Sequence, residues 1–381
     1  MDKRKIANAV IVNLSRVLLG VVFVFSGFSK AVDPLGTVYK FQDYLAALGL
    51  GNTIPDALLL LCAVALSTVE FAMGVFILLA IWRRKTSKAV LAFMAFMTLL
   101  SVWIYAADPV QDCGCFGDAL VLTNRDTLIK NLLLMVCAIV LARYPLSMPR
   151  MLGKNIQWMT VHVTVAGSIV LSGWCLYDLP VVDFRPYHVG ADIRQGMIVP
   201  EDAEQPEFET VFILEKDGRR EEFSLENYPD STWTFVDSRT TVVKQGYVPP
   251  IHDFSIMTSG DEDITEDVLS YKGCTFLLIA PFIEKADDSN FGEIDRIYEF
   301  ADDNGHRFYC LTSSGEKAIG HWRNITGAEY PFCFTDGTTL KTIVRSNPGL
   351  LLLKDGRIIG KWSHNFLPSL ERLSEMIKQN K

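Results

Sequence analysis

Two cysteines stand one glycine apart in the stretch QDCGCFGD, Gln111 to Asp118, directly after a strongly apolar run. Gly114 lets the backbone fold tightly enough to bring the two Cα atoms within disulfide range, so Cys113 and Cys115 can close on each other. A ring that small is strained, and strained exposed disulfides are the oxidising, exchangeable ones. Zinc is the competing chemistry, but it takes about four ligands, and no second Cys or His pair stands at ligand spacing nearby. No metal is expected. The plain alternative is a permanent bridge or a packed turn, and the compartment of the loop bears on the choice.

The elements around the loop give that compartment. Five segments are apolar for long enough to cross a hydrocarbon core, which takes about 20 residues of helix. They run from Ala9 to Gly27, Ala57 to Trp82, Lys88 to Ala107, Leu128 to Ala142 and Val161 to Leu179, the fourth being the shortest. The first follows MDKRK but is not followed by an A-x-A-like cleavage site, so it reads as a retained span. Lys3, Arg4 and Lys5, then Arg83, Arg84, Lys85 and Lys88, then Arg143, Arg150 and Lys154 share one face, which should be cytoplasmic. The expectation is a protein of the bacterial inner membrane with its N terminus cytoplasmic. The CGC loop and everything after the fifth span then lie in the periplasm, where a disulfide is chemically reasonable. The net charge of −8 and the lack of a clustered Lys/Arg face exclude nucleic acid as a partner.

Within the spans, Cys175 lies near the outer end of the fifth and Cys62 a turn or two inside the outer end of the second, so these are the relay candidates in that order. Cys137, deeper in the fourth, reads as a packed apolar side chain. Arg16 and Glu70 are ionisable groups inside spans one and two, each costing about 2.5–3.5 kcal/mol near the bilayer centre, so they should pair or face a polar cavity. Counting from the shared cytoplasmic face puts them at comparable depth, and a salt bridge between them is expected. Lys30, Asp33, Lys40 and Asp43 read as ordinary interfacial charges.

The second half changes character. Residues 181–249 are β-rich: FETVFILEKDGRREEFSL alternates on both sides of Lys216-Asp217-Gly218, a tight-turn signature, and TWTFV and TTVVK offer further strands. The connector DFRPYHVGADI, Asp183 to Ile193, has no chemical signature of its own. From residue 250 to 381 strands alternate with helices, which argues for an α/β domain. That order, with Pro348 directly before a strand hairpin, resembles the thioredoxin fold in its TlpA-like or peroxiredoxin-like form. The resemblance implies a cis Asn347-Pro348 bond, and a C-x-x-C that would fall within Ala280 to Asp288, where there is no cysteine. Cys274, Cys310 and Cys333 lie in strand-like surroundings, as small buried hydrophobes do.

RVLLGVVFVFSGFSKAVDP, followed by a glutamate-bearing apolar span, resembles the DoxX-like membrane family, and DCGCFGD is similar to the cysteine loop of MauE-like proteins. These resemblances imply a four-helix membrane bundle over residues 1–150 with links to quinone or disulfide chemistry. A fifth transmembrane helix over 151–180, the β-rich extracytoplasmic segment over 181–249 and a thioredoxin-like domain lacking CxxC over 250–381 would follow. Two functions are in view. One is a thiol-disulfide oxidoreductase exchanging electrons between periplasmic protein clients and the membrane, with quinone as acceptor, through Cys113 and Cys115. The other is a non-enzymatic envelope assembly or scaffold factor with a thioredoxin-like binding platform.

Overall fold

The structure, a computed structural model, describes residues 3–51, 53–110, 112–204, 207–216, 219–224, 227–229, 232–244 and 246–380. The chain divides into a helical bundle of apolar rods, a small antiparallel sheet and an α/β domain. The bundle contains α1 (Lys3–Val32), α2 (Pro34–Ala47), α3 (Asp56–Leu78), α4 (Arg83–Ala107), α5 (Asn124–Arg143) and α6 (Lys154–Tyr177). Among the described residues four helices are long and apolar enough to cross a membrane: α1 over Asn8–Val32, α3, α4 and α6. Their side chains place many large apolar groups on the outside, Leu61, Leu99 and Val170 among them, as a bilayer environment requires.

The expected fourth apolar span corresponds to α5, which falls short of the other four because Arg125, Asp126, Lys130 and Arg143 share its 20 residues. It nevertheless runs the height of the bundle, antiparallel to α4. Arg83, at the start of α4, donates to the carbonyls of Leu146 (3.2 Å) and Met148 (2.7 Å) just beyond the end of α5. The correction is therefore to composition: four strongly apolar helices and one mixed one.

Glycine sets how α1 lies on α3. Gly20 faces Leu78, Gly27 faces the backbone of Phe71, and Gly74 faces the backbone of Val24, with no room for a Cβ at any of the three. Close backbone approach through small residues is how membrane helices gain packing energy where lipid tails offer no hydrophobic driving force. The short α2 turns back at the C-terminal end of α1. Pro34 occupies its first turn, and the Asp33 carboxylate accepts from the Gly36 N–H at 2.9 Å.

The small sheet has the order β2-β1-β3, with β1 (Glu207–Lys216), β2 (Arg219–Ser224) and β3 (Thr234–Lys244) all antiparallel. TWTFV and TTVVK, expected as separate strands, belong to the single β3. The turn expected at Asp217 and Gly218 lies outside the described residues.

The α/β domain has a five-stranded sheet in the order β6-β5-β4-β7-β8. Its strands are β4 (Cys274–Ala280), β5 (Arg307–Thr312), β6 (Phe332–Phe334), β7 (Gly349–Lys354) and β8 (Arg357–Ser363). β4, β5 and β6 are parallel, and β7 and β8 form an antiparallel hairpin closed by Asp355 (φ 49°) and Gly356 (φ 75°), the positive-φ pair of a tight hairpin turn. This is a thioredoxin-like sheet, and the Asn347–Pro348 peptide before β7 is cis. The helices α9 (Phe291–Asp303), α10 (Glu316–Thr326) and α12 (Leu370–Gln379) cover one face around Ile297, Trp322 and Leu373. The other face packs against the short α7 (Ile193–Met197), α8 (Thr265–Leu269) and α11 (Gly337–Ile343), with Tyr187 and Phe254 between them.

The segment 183–193, without signature in the sequence, ties this domain to the membrane. Asp183 takes Arg185 Nε on one oxygen and Lys361 Nζ on the other, both at 2.7 Å, with the two cations almost fully buried. Burial, with Arg185 adding to it, pushes the Lys361 ammonium down to about 7 against the pull of Asp183. The chain then exchanges backbone bonds with β8 at Gly190, Ala191 and Ile358. At the end of α6, Asp178 accepts from Ser363 at 2.7 Å and the Tyr177 carbonyl accepts from Asn365 at 2.6 Å. A transmembrane helix thus leads into the last strand of the sheet with little slack. Replacing Asp183 by Asn leaves two buried cations without their carboxylate and should cost about 3–5 kcal/mol. Denaturant unfolding in detergent, with limited proteolysis at 183–198, will measure this, and an unchanged midpoint would contradict it.

Candidate functional site

The CGC loop is not an open turn. Cys113 and Cys115 are each 8% exposed, against the expectation of a surface sulfur, and sit among Ile104, Phe116, Trp103, Tyr44 and Leu122. Their sulfurs are 2.8 Å apart. Gly114 makes this possible with φ +64°, and a Cβ there would also press on the Lys40 side chain at 2.9 Å. The loop is gripped by its backbone. Asp112 accepts from the Gly114 N–H at 2.8 Å and pairs with Lys40 of α2 at 2.7 Å. Tyr44, one turn further along α2, donates to the Cys113 carbonyl at 2.8 Å.

Beneath the loop lies a buried ion pair the sequence reading missed. Glu70 bonds Lys30 at 2.9 Å, with side-chain exposures of 7% and 6%. Lys30 also donates to Ser26 Oγ at 2.7 Å and to the Cys115 carbonyl, so its three ammonium protons all have acceptors. Ser26 Oγ lies 2.7 Å from Glu70 Oε1 and 2.5 Å from the Cys115 carbonyl, and its single proton can serve one of them at a time. Ser26 and Lys30 are one helical turn apart and therefore share a face of α1.

The expected Arg16–Glu70 bridge is corrected by the glycine contacts. Each step along α1 is matched by a step back along α3, so Gly27 opposite Phe71 and Gly20 opposite Leu78 put Arg16 level with Trp82. Glu70 lies a further twelve residues along, about 18 Å at about 1.5 Å per residue. Arg16 contacts the Met151 sulfur at 3.5 Å, and its Nε has no partner. Counting from the span ends failed because α1 extends well past the level at which α3 ends, Gly20 lying opposite the last residue of α3.

The electrostatics of the two sulfurs diverge. The contact with Cys113 holds the Cys115 thiol down to about 6, with Lys130 and Lys30 helping against the cost of burial. Cys113 is pushed up by the same contact and by burial. Lys130 also stands over the Phe116 ring at 4.3 Å. The arrangement favours one thiolate at Cys115 and one thiol at Cys113. A cavity of about 20 Å³ beside Cys115, bordered by Glu70, Lys130 and Asn131, has room for something the size of a water molecule.

The other sulfurs lie apart from this centre. Cys175 is buried against the Val181 backbone at the end of α6, and Cys62 is exposed on α3, so no relay to the loop is formed in this conformation. Cys137 packs in the bundle core with Leu134 and Leu141. Leu311 is the register partner of Cys333, so Cys310 and Cys333 point to opposite faces of the sheet and belong to different cores. At Ala280 to Asp288, Ile283–Lys285 forms a 3-10 turn in which Glu284 accepts from Ser314 at 2.7 Å.

A membrane bundle carrying a cysteine loop over an internal ion pair, fused to a thioredoxin-like domain without a dithiol, is the class of protein that fold and site define. The family model described as methylamine utilisation protein MauE matches residues 8–144, and a domain of unknown function (DUF8463) matches residues 208–245. The N-terminal region is thus MauE-like and membrane-embedded. Among solved structures, the solution structure of a candidate protein disulfide isomerase from Bacteroides thetaiotaomicron is similar at 15% identity, over 33% of this chain and 82% of that chain, with a TM-score of 0.26. No curated protein matches the chain.

Lys30 and Glu70 should behave as one unit. In a double-mutant cycle of Lys30→Met and Glu70→Leu, the two losses of thermal stability should fall short of additivity by about 0.5–3 kcal/mol. Arg16→Met combined with Glu70→Leu should be additive, and coupling there in place of Lys30 would reverse the assignment.

Proposed function

We propose that the protein is a membrane thiol–disulfide oxidoreductase of the bacterial inner membrane. Its N terminus lies in the cytoplasm, and its β-rich and thioredoxin-like parts lie in the periplasm. The observation that carries this reading is the 2.8 Å approach of two electrostatically unequal sulfurs above the Lys30–Glu70 pair. In the oxidised form a client thiolate attacks Cys113. The S–S bond breaks and Cys115 leaves as a thiolate, its low proton affinity making it the better leaving group. A second client thiol then displaces Cys113, so the client loses two electrons and the loop becomes a dithiol. Restoring the loop removes two electrons and two protons, for which a bilayer quinone is the proposed acceptor class. The 20 Å³ cavity beside Cys115 is too small for a quinone ring, so this conformation does not hold one there.

The scaffold reading is favoured by a different observation, the burial of both sulfurs beside a thioredoxin-like domain with no cysteine at Ala280 to Asp288. Acid-quenched thiol trapping in cells separates the two. Cys113 and Cys115 should shift between dithiol and disulfide when periplasmic client load changes, and replacing either by Ser should abolish the shift while the protein stays membrane-inserted. A pair trapped in one state throughout would leave the scaffold reading standing.

The pair should also have a distinctive pH profile. In the reduced protein, the alkylation rate of Cys115 should rise through about pH 6 and level off above it, because the thiolate is the nucleophile. Cys113→Ala removes the main stabilising hydrogen bond and should move that rise to higher pH. An unmoved profile in the alanine variant would show that Cys113 does not set the acidity of Cys115.

A further inference from the structure

The buried sulfurs need an explanation if they exchange with protein clients, because a client thiol must reach them. Besides the bundle side chains around them, the sulfurs are covered by α2 through Lys40 and Tyr44, and one side chain of the thioredoxin-like domain, Arg345, is tied both to the start of α2 and to the loop. Arg345 stands two residues before Asn347 and is 7% exposed. Its guanidinium is bidentate to Asp33, with Nε at 2.9 Å and 3.0 Å and Nη2 at 2.8 Å. Nη2 also reaches Asp118 at 3.2 Å, Nη1 donates to the Lys341 carbonyl, and the group lies over the Tyr39 ring at 5.2 Å.

The two carboxylates have particular places in the chain. Asp33 is the N-cap of α2, the helix that covers the loop, and Asp118 lies in the turn Gly117–Ala119 three residues beyond Cys115. One planar cation from the α/β domain therefore fastens both the hinge of the cover and the far end of the cysteine loop. The bonds are short and buried, where a charge-assisted fork is strongest and a lysine would be a poorer substitute. On its other side α2 borders a cleft of about 760 Å³ between the domains, with Tyr39, Asp43, Phe282 and Lys341 on its walls. That cleft gives α2 somewhere to go.

We propose that Arg345 is a latch: the thioredoxin-like domain, lacking a dithiol of its own, controls access of client thiols to Cys113 and Cys115 by clamping Asp33 and Asp118. The proposal rests on the exchange reading above and adds its regulation. Arg345 is a positioning residue, acting on the sulfurs through the two carboxylates and α2. Chain displacement at the latch, by a client entering the cleft or by movement of the domain, opens the loop.

The test uses the full-length protein in membranes, chemically reduced beforehand so that its outcome does not depend on whether the cysteines cycle. Labelling of Cys113 and Cys115 by a membrane-impermeant maleimide is followed by mass spectrometry, with the buried Cys175 as a control for general loosening. Arg345→Met should label the pair about tenfold faster or more, since a buried pair of this kind is worth more than one decade of an opening equilibrium. Arg345→Lys, which can keep one of the carboxylates, should recover part of the protection. Asp118→Asn leaves the Asp33 fork intact and should raise the rate less, and adding it to Arg345→Met should have little further effect. Wild-type labelling rates in both Arg345→Met and Asp118→Asn would overturn the latch, as would acceleration of Cys175 in step with the pair in both. Failure of the latch with normal redox cycling leaves the exchange reading intact, and a working latch without cycling removes the exchange reading alone.

Discussion

The Lys30–Glu70 ion pair is the interaction on which the arrangement of the membrane half turns. Two opposite charges inside an apolar bundle are tolerable only when every remaining proton and lone pair finds a partner. Ser26 supplies one acceptor and the Cys115 carbonyl another. The consequence is that the loop between α4 and α5 is drawn down onto the bundle. The cysteines are buried because their backbone completes the solvation of a lysine. The same lysine contributes to stabilising a negative charge at the Cys115 sulfur, so the structural demand of the pair and the chemistry of the loop share one ammonium group.

The junction between bundle and α/β domain follows a similar logic with different groups. Asp33, which burial would raise, is held low by Arg345, whereas Asp118 at the edge of the same cluster is left raised by its burial. The two carboxylates thus divide one cation unequally. On the opposite side, Trp174 and Tyr177 at the end of α6 pack against Phe366 at 5.9 Å and 5.6 Å, an aromatic seam between the helix and the α/β domain. Lys285 reaches Asp56 at the start of α3 at 3.5 Å, a surface pair of little energetic weight.

Much of the fold was legible because its signals are local. Apolar length marked α1, α3, α4 and α6, and Pro348 before an apolar hairpin marked the thioredoxin-like sheet. The Asp355-Gly356 turn was written in the residues that tolerate positive φ. The site was legible only in part. Cys113-Gly114-Cys115 announces itself, but the partner of Glu70 depended on the register of α1 against α3, which span lengths do not fix. The serine and lysine at positions 26 and 30, one turn apart on a face beside glycine, held the available hint. Arg345 gave none, since its carboxylate partners are more than 200 positions away and nothing in VRSNPG distinguishes a buried fork from a surface arginine. The connector 183–193 was silent for a similar reason: beyond the Asp183–Arg185 pair itself, its chemistry consists of long-range partners, Lys361 for Asp183 and the Thr342 carbonyl for Arg185.

The glycines between α1 and α3 have a consequence for how this centre tolerates change. Backbone resting on backbone at Gly27 and Gly74, with the Leu78 side chain seated on Gly20, works as a vernier scale, fixing the depth of one helix on the other in steps of a single residue. One step of slip would raise Lys30 by about 1.5 Å and turn it by about 100° around α1, away from Glu70. A side chain added to the seam would therefore act first on alignment and only then on packing. The charge chemistry of the bundle is calibrated by residues that carry no charge and no side chain.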